Sequence, residues 1–238
     1  MSLKEKGVVV TRPSSLAPGL ARLIEGVGGK AFLFPAIEIE PLAATLPPGK
    51  FDMAVFISPT AVRQGLKHAS NVGMIVALSA GTRRELERNG VKNVIAAEGG
   101  DSEALLALPE LRDVAGRRIA VFRGEGGREV LAEGLRSRGA TVEYVECYRR
   151  VRPRSDPAPL VAAWRRGALH AVTVSSAEGL RNLFAMLEGG PLAALPLFVP
   201  HERVAAEARR LGAREALVAG PGDDEMLSAL VAYFGGHD

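Results

Sequence analysis

The sequence lacks most of the features that would assign a chemistry at sight. Its 238 residues contain a single cysteine, Cys147. A lone thiol excludes an internal disulfide and any C-x-x-C pair, and it suits a reducing, cytoplasmic setting. Cys147 reads as a half-buried strand residue rather than a nucleophile. Aromatic residues make up only 5% of the chain, and 30 basic against 27 acidic residues leave a net charge of +3. Nucleic-acid binders pair a basic stripe with interleaved aromatics, so none is expected as a partner. No run of about 18 apolar residues is present, which leaves no membrane-spanning candidate. The opening segment Met1 to Lys6 has neither the apolar stretch nor the small-residue cleavage site of a signal peptide. The four histidines, His68, His170, His201 and His237, show no metal-ligand spacing. No G-x-S-x-G nucleophile elbow occurs either.

What is present is a core-forming composition, 47% apolar and 24% charged, of an ordinary globular protein. Short runs such as "GVVVTR" (7–12), "DMAVFIS" (52–58), "RRIAVFR" (117–123) and "HAVTVSS" (170–176) are almost continuously apolar. Strands buried on both faces of a parallel sheet read this way. Between them lie segments such as "REVLAEGLRSRG" and "RVAAEARRLGA", apolar at i, i+3, i+4 and i+7 and closed by a glycine. The alternation predicts an α/β fold with doubly wound parallel sheets.

The chain also repeats itself. "GVVVTRPSSLAPGLARLIEGVGGKAFLF" echoes "RRIAVFRGEGGREVLAEGLRSRGATVEY", each with a strand ending in arginine, Arg12 or Arg123. "DMAVFISPTAV" echoes "HAVTVSSAEGL", each with a serine, Ser58 or Ser176, between strand and helix. Two similar domains are expected. The runs 30–42 and 140–154 are long for single buried strands, and the first contains Pro35, which a central strand tolerates poorly. Both are read as strands that continue into connectors. The first domain would then be discontinuous, 1–35 with 155–238. Residues 40–148 would form an inserted second domain, and 36–39 with 149–154 a two-stranded connector.

In open parallel sheets ligands sit beyond the C-terminal strand ends, where helix N-termini present free N–H groups. The residues there are Arg12, Ser58, Ser79 to Thr82, Arg123 to Arg128, Ser175, Ser176 and Pro200 to Arg203. They are mostly small, hydroxylated, glycine or basic, which suggests an anion-binding cleft between the domains. The basic run Arg149 to Arg154 reads either as a solvated hinge or as an edge of that cleft. The loop "RGEGGR" (123–128) is neither a P-loop nor a G-x-G-x-x-G fingerprint. With its echo "TRPSS" it forms one of two arginine-bearing anion sites. Asp101, Glu103 and Asp223 to Glu225 fall in first helical turns, where a capping role outweighs a catalytic one.

The ordered set "TRP" (11–13), "FISPTAV" (56–62), "DSEALL" (101–106), "RGEGGREVLAEGLRSRGATV" (123–142), "CYRR" (147–150), "VTVSSAEGL" (172–180) and "VPHERVAAEARRLGA" (199–213) resembles the uroporphyrinogen-III synthase family, nearly end to end. The resemblance implies two α/β domains, the first discontinuous, joined by a two-stranded connector. It also implies a cyclising lyase of tetrapyrrole (haem) biosynthesis that uses neither metal nor organic cofactor. Such an enzyme closes hydroxymethylbilane, a linear tetrapyrrole with eight carboxylates, to uroporphyrinogen III with its last ring inverted. Loss of the substrate's hydroxyl leaves an azafulvene; attack through the substituted carbon of the last ring gives a spiro intermediate that fragments and recloses. Carried over by motif, Tyr148 is the implied catalytic residue, assisting departure of the hydroxyl.

The expected substrate-binding positions are Ser58, Thr82 and Ser176, which match the family by motif, the carboxylate-binding Arg12, Arg123 and Arg128 with the loop glycines Gly124, Gly126 and Gly127, and His201 and Arg203, which stand where the family's threonine is missing. Helix capping accounts equally well for Ser58, Thr82 and Ser176. The chain departs from the family at Ser79, where glycine is common, in "VPHER", which lacks the threonine, and at His170, where aspartate is common. The chain is expected to act as a cytoplasmic monomer, with the small-molecule substrate as its partner. A non-catalytic two-domain binder or sensor of small anions is the alternative, since a pair of similar α/β domains clamps an anion equally well.

Overall fold

A computed structural model describes residues 3–188 and 194–236; His237 lies outside the described residues. The chain begins β1 (Gly7–Val10), α1 (Ala17–Gly26), β2 (Lys30–Leu33), β3 (Glu38–Pro41) and β4 (Phe51–Phe56). There follow α2 (Pro59–Gly65), β5 (Val72–Ala77), α3 (Ala80–Arg88), β6 (Ile95–Ala96) and α4 (Ser102–Leu106). Next come β7 (Arg118–Gly124), α5 (Val130–Ser137), β8 (Thr141–Val151), α6 (Ala158–Arg165) and β9 (Ala171–Thr173). The last elements are α7 (Ala177–Met186), β10 (Leu197–Val199), α8 (Glu202–Arg210), β11 (Ala216–Val218) and α9 (Asp223–Gly235). They gather into two compact units, residues 1–38 with 151–238, and residues 39–150.

The first unit is built on a sheet of order β11-β10-β9-β1-β2, all neighbours parallel. Its centre explains the unbroken apolar runs. Val9 of β1 packs with Val172, Leu180 and Leu183 on one face, while Val8 and Val10 pack with Leu20, Ile24 and Leu230 on the other. Both faces are covered by helices, so each side of the pleat must be apolar. Helix α1 buries Ala17, Leu20, Ala21 and Ile24, the i, i+3, i+4, i+7 stripe seen in its sequence.

The second unit carries a sheet of order β3-β8-β7-β4-β5-β6. From β8 to β6 the neighbours are parallel. The same two-faced burial recurs: Met53, Val55, Ile119 and Val121 line one side, Ala54, Phe56, Ala120 and Phe122 the other. Phe56 and Phe122 stack with centroids 4.4 Å apart. β3 edges the sheet beside β8. Leu42 N donates to Cys147 O (3.0 Å) and Glu40 pairs with Arg149, so pairing advances on one strand as it recedes on the other, in antiparallel fashion.

The run 30–40 is not one strand. β2 stops at Leu33 and β3 starts at Glu38, with Pro35 between them, which has no N–H to give a ladder. The run 140–151, by contrast, contains a single strand of 11 residues. The segment 92–97, "KNVIAA", forms only the two-residue β6 at the sheet edge. Among the described residues no helix is long and apolar enough to cross a membrane.

Candidate active site

In the second unit the chain leaves β4 towards β5 on one side and returns to β7 on the other. The crevice beyond the C-terminal ends of β4 and β7 is therefore the switch point where open α/β sheets bind ligands. Ser58 follows β4 there, Gly124 ends β7, and Tyr148 comes from β8, the neighbour of β7.

Ser58 is the N-cap of α2. Its backbone is extended (φ −161°, ψ 158°) and its Oγ accepts from Ala61 N at 3.0 Å. The same Oγ lies 3.2 Å from Tyr148 Oη. A capped Ser58 has already used one lone pair on the helix. Its own hydrogen can then point at the tyrosine oxygen, which leaves the Tyr148 hydrogen free for a third group.

Tyr148 reaches this place through an irregularity. Arg123 is opposite Glu146, but Gly124 is opposite Tyr148, so β8 carries one extra residue at the end of β7. Plain alternation would put Tyr148 on the face of Tyr144. Instead it packs with Val145, Cys147 and Phe122 on the opposite face and is only 2% exposed. Bulges beside active sites commonly re-aim a side chain in this way. Cys147, at the bulge, is fully buried, and burial pushes its thiol up to about 11.

The glycine loop closes behind the tyrosine. A Cβ on Gly124 would lie 2.7 Å from Tyr148 Cζ, so the ring occupies the space a side chain would need. Glu125 N donates to Tyr148 O at 2.7 Å. Gly126 and Gly127 have φ of 70° and 107°, a left-handed conformation that favours glycine. Arg123 does not point outward. Its side chain turns into the loop, where Nε donates to Gly124 O (3.3 Å), Nη2 to Gly126 O and Nη1 to Glu129 (3.2 Å). Arg128 is exposed, with no ion-pair partner among the described residues. It lines a cavity of about 270 Å3, shared with Ile57, Leu78, Ser102, Leu131 and Arg150. The lining combines apolar side chains with Arg128, Arg150 and one carboxylate, Glu125, so cations outnumber acids there.

A family model described as uroporphyrinogen-III synthase HemD matches residues 19–228. The chain belongs to the uroporphyrinogen-III synthase family. Uroporphyrinogen-III synthase of Escherichia coli (strain K12) is 32% identical over 247 residues, covering 92% of this chain and 97% of its own length. The Salmonella typhimurium protein of the same name is 39% identical over 130 residues, 53% of each chain. Among solved structures, uroporphyrinogen-III synthetase from Helicobacter pylori 26695 aligns with a TM-score of 0.66 at 16% identity, covering 96% of this chain and 99% of that one. A mutant uroporphyrinogen III synthase from the extremely thermophilic bacterium Thermus thermophilus gives a TM-score of 0.59 at 18% identity, covering 97% and 99%. At such identities these two structures speak for the uroporphyrinogen-III synthase fold alone.

The remaining expected binding positions fall elsewhere. Thr82 is fully buried in the first turn of α3, its hydroxyl 3.1 Å from Ser79 Oγ, and Ser79 caps that helix. In the first unit, Ser176 repeats the role of Ser58: it caps α7 with the same backbone angles and accepts from Gly179 N at 3.0 Å. Arg12 forms an ion pair with Asp223 at the start of α9 and donates to Pro221 O at 3.1 Å. His201 and Arg203 are exposed at the start of α8, and His201 makes no side-chain cap.

Three residues that surround the loop were not singled out from sequence. Tyr144 donates to Glu129 at 2.6 Å and lies under the Arg123 guanidinium, 4.4 Å from ring centroid to Cζ. Glu146 accepts from Gly126 N at 3.1 Å. Glu129 is held below the ordinary carboxylate range, first by the Tyr144 hydroxyl and then by Arg123. Tyr144 is pushed up to about 12 by burial and by the Glu129 carboxylate. The alternation of β8 was the one available signal, since Tyr144 and Glu146 share a face two residues apart.

Proposed function

We propose that the chain closes hydroxymethylbilane to uroporphyrinogen III, with Tyr148 as the catalytic residue. The observation that carries the role of Tyr148 is its hydroxyl, 3.2 Å from Ser58 Oγ at the switch point of the second sheet. Membership of the family and the near full-length likeness to the E. coli synthase support the reaction.

The chemistry asks little of a protein base. Electron density from a pyrrole nitrogen expels the substrate's terminal hydroxyl, which leaves as water when Tyr148 Oη supplies a proton. Ser58 donates to the same oxygen and stabilises the tyrosinate that results. The last ring of the azafulvene then attacks through its substituted carbon, the spiro intermediate fragments, and the ring recloses inverted. The proton released from the newly joined pyrrole carbon returns to Tyr148. Water is the net product besides the macrocycle. A positioned acid of this kind contributes about 10²–10⁴-fold.

The larger task is geometric. The free chain closes in water without inversion, so the protein must hold one folding of the substrate, and orientation effects reach about 7–11 kcal/mol. Arg128, on the rim of the cavity, and the backbone of Gly127 supply positive charge and donors for a substrate carboxylate. On this reading the active species is a single cytoplasmic chain. Purified protein is supplied with freshly generated hydroxymethylbilane, the products are oxidised, and the type I and type III isomers are separated. Type III above the protein-free control is the expected result. Type I alone, at the control rate, overturns the reading and favours a non-catalytic anion binder.

A further inference from the structure

We propose that Arg123, Glu129 and Tyr144 form a clamp that holds the loop 124–127 against Tyr148, so that all three are positioning residues for the reacting hydroxyl. The inference rests on the role proposed for Tyr148.

The Arg123 side chain is 3% exposed. A charge so buried is costly unless it is paired and hydrogen-bonded. All three of its nitrogens are engaged: two with Gly124 O and Gly126 O in the loop, the third with the Glu129 carboxylate at the start of α5. Its flat face rests on the Tyr144 ring at 4.4 Å, a cation–π contact. Tyr144 then closes a circuit, because its hydroxyl donates to the second oxygen of the same Glu129 at 2.6 Å. The carboxylate thus ties Tyr144 of β8 to Arg123, which itself holds the loop, through two charge-assisted bonds.

The conformation of the loop depends on this arrangement. A Cβ on Gly127 would lie 2.6 Å from Arg123 Nη2, so the loop backbone is wrapped directly round the guanidinium. From the loop, two contacts run to Tyr148 itself. Glu125 N donates to Tyr148 O at 2.7 Å, and the bare Gly124 Cα borders the Tyr148 ring. Releasing the clamp frees the wall that keeps the ring in place and the hydroxyl on Ser58. Arg123 therefore acts through the loop, and substrate anions are left to the exposed Arg128.

Glu129 and Tyr144 are the places to test this, because the Glu129 side chain is 49% exposed and can be shortened without opening a cavity in the core. Tyr144→Phe keeps the ring under Arg123 and removes only the bond to Glu129. Glu129→Ala, Tyr144→Phe and the double variant are compared with wild type, with Tyr148→Phe alongside. Each clamp variant should lower kcat for type III formation about tenfold, less than the roughly 10²-fold of a full 1 Å misplacement, with KM nearly unchanged; Tm should hold in Tyr144→Phe and fall in Glu129→Ala, which leaves the buried Arg123 charge without its carboxylate. The double variant should be no slower than the slower single, because the two act as one unit. Amide hydrogen exchange at Glu125 and Gly126 should speed up in both singles.

Wild-type kcat and wild-type exchange in both singles overturn the clamp. So does a raised KM at unchanged kcat, which would make these residues part of substrate binding. If Tyr148→Phe is slow while the clamp variants are not, the clamp alone is wrong. If wild type makes no type III, the function is wrong and the exchange rates still decide the clamp.

Discussion

Gly124→Ala puts one methyl group against the residue on which the chemistry depends. Gly124 is buried at the end of β7, and its φ is not among the positive ones, so alanine meets no backbone strain there. The whole cost is contact. The added Cβ would lie 2.7 Å from Tyr148 Cζ, 2.8 Å from Cε2 and 3.1 Å from Oη. Carbon atoms rest at about 3.5–4.0 Å, so ring and methyl must part by roughly an ångström. Tyr148 is 2% exposed and surrounded by packed side chains, and it cannot retreat freely. Overpacking of this kind costs about 1–3 kcal/mol. In a chain of this size that lowers Tm by about 2–12 °C.

The displaced hydroxyl leaves Ser58, and kcat for type III formation should fall by about 10- to 100-fold. Gly139→Ala provides the comparison. Gly139 has φ 84° and lies just before β8, at the opposite end of the strand from Tyr148. Alanine there costs about 1–2 kcal/mol of left-handed strain and should leave kcat alone. Thermal melts and isomer-resolved turnover of both variants decide the matter. Wild-type Tm and kcat in Gly124→Ala refute the reasoning, as does an equal loss of kcat in Gly139→Ala.

Ser58→Ala removes both the cap of α2 and the partner of Tyr148, so it should cost about 0.5–2 kcal/mol of stability and also slow turnover. Ser176→Ala loses an equivalent cap, and melts of the two should agree while their rates are compared. Glu85 accepts two bonds from Arg63 (2.8 and 3.1 Å) between α2 and α3, and is held below the ordinary carboxylate value chiefly by that arginine. Its contribution is therefore present above the unfolded value near 4.5 and lost as pH falls through the lower folded value. Denaturant titrations from pH 7 to 3 should show a steeper loss for wild type than for Glu85→Gln. Cys147, with its thiol pushed up to about 11, stays protonated and should resist a thiol reagent at pH 8 until denaturant is added. Rapid labelling of the native protein would contradict this.

Much of this was legible in sequence, and the exceptions have physical causes. The strands that bury both faces announced themselves as unbroken apolar runs, as in "VVV" at 8–10, because a covered parallel sheet has no solvent side. The matched serines Ser58 and Ser176 proved to be caps with identical backbone angles, since an N-cap is a local motif. Pro35 marked a real break between β2 and β3 because the missing N–H is a property of the residue alone. Which way a side chain faces across a bulge is not local. The alternation of β8 would place Tyr148 beside Tyr144, and only its pairing with β7 shows the extra residue that turns it towards Ser58. The inward turn of Arg123 was hidden for the same reason, because its partners Glu129 and Tyr144 belong to a helix start and to the next strand. Arg12 likewise finds Asp223 at the far end of the chain, where sequence showed only an acidic first turn.

The most direct test of the account is the single-turnover rate of type III formation by Tyr148→Phe, measured beside wild type and a protein-free control. Phenylalanine keeps the ring that fills the space beside Gly124 and removes only the hydroxyl 3.2 Å from Ser58. The account predicts an unchanged melting curve and a rate about 10²–10⁴-fold lower. A variant that makes type III at the wild-type rate would contradict it.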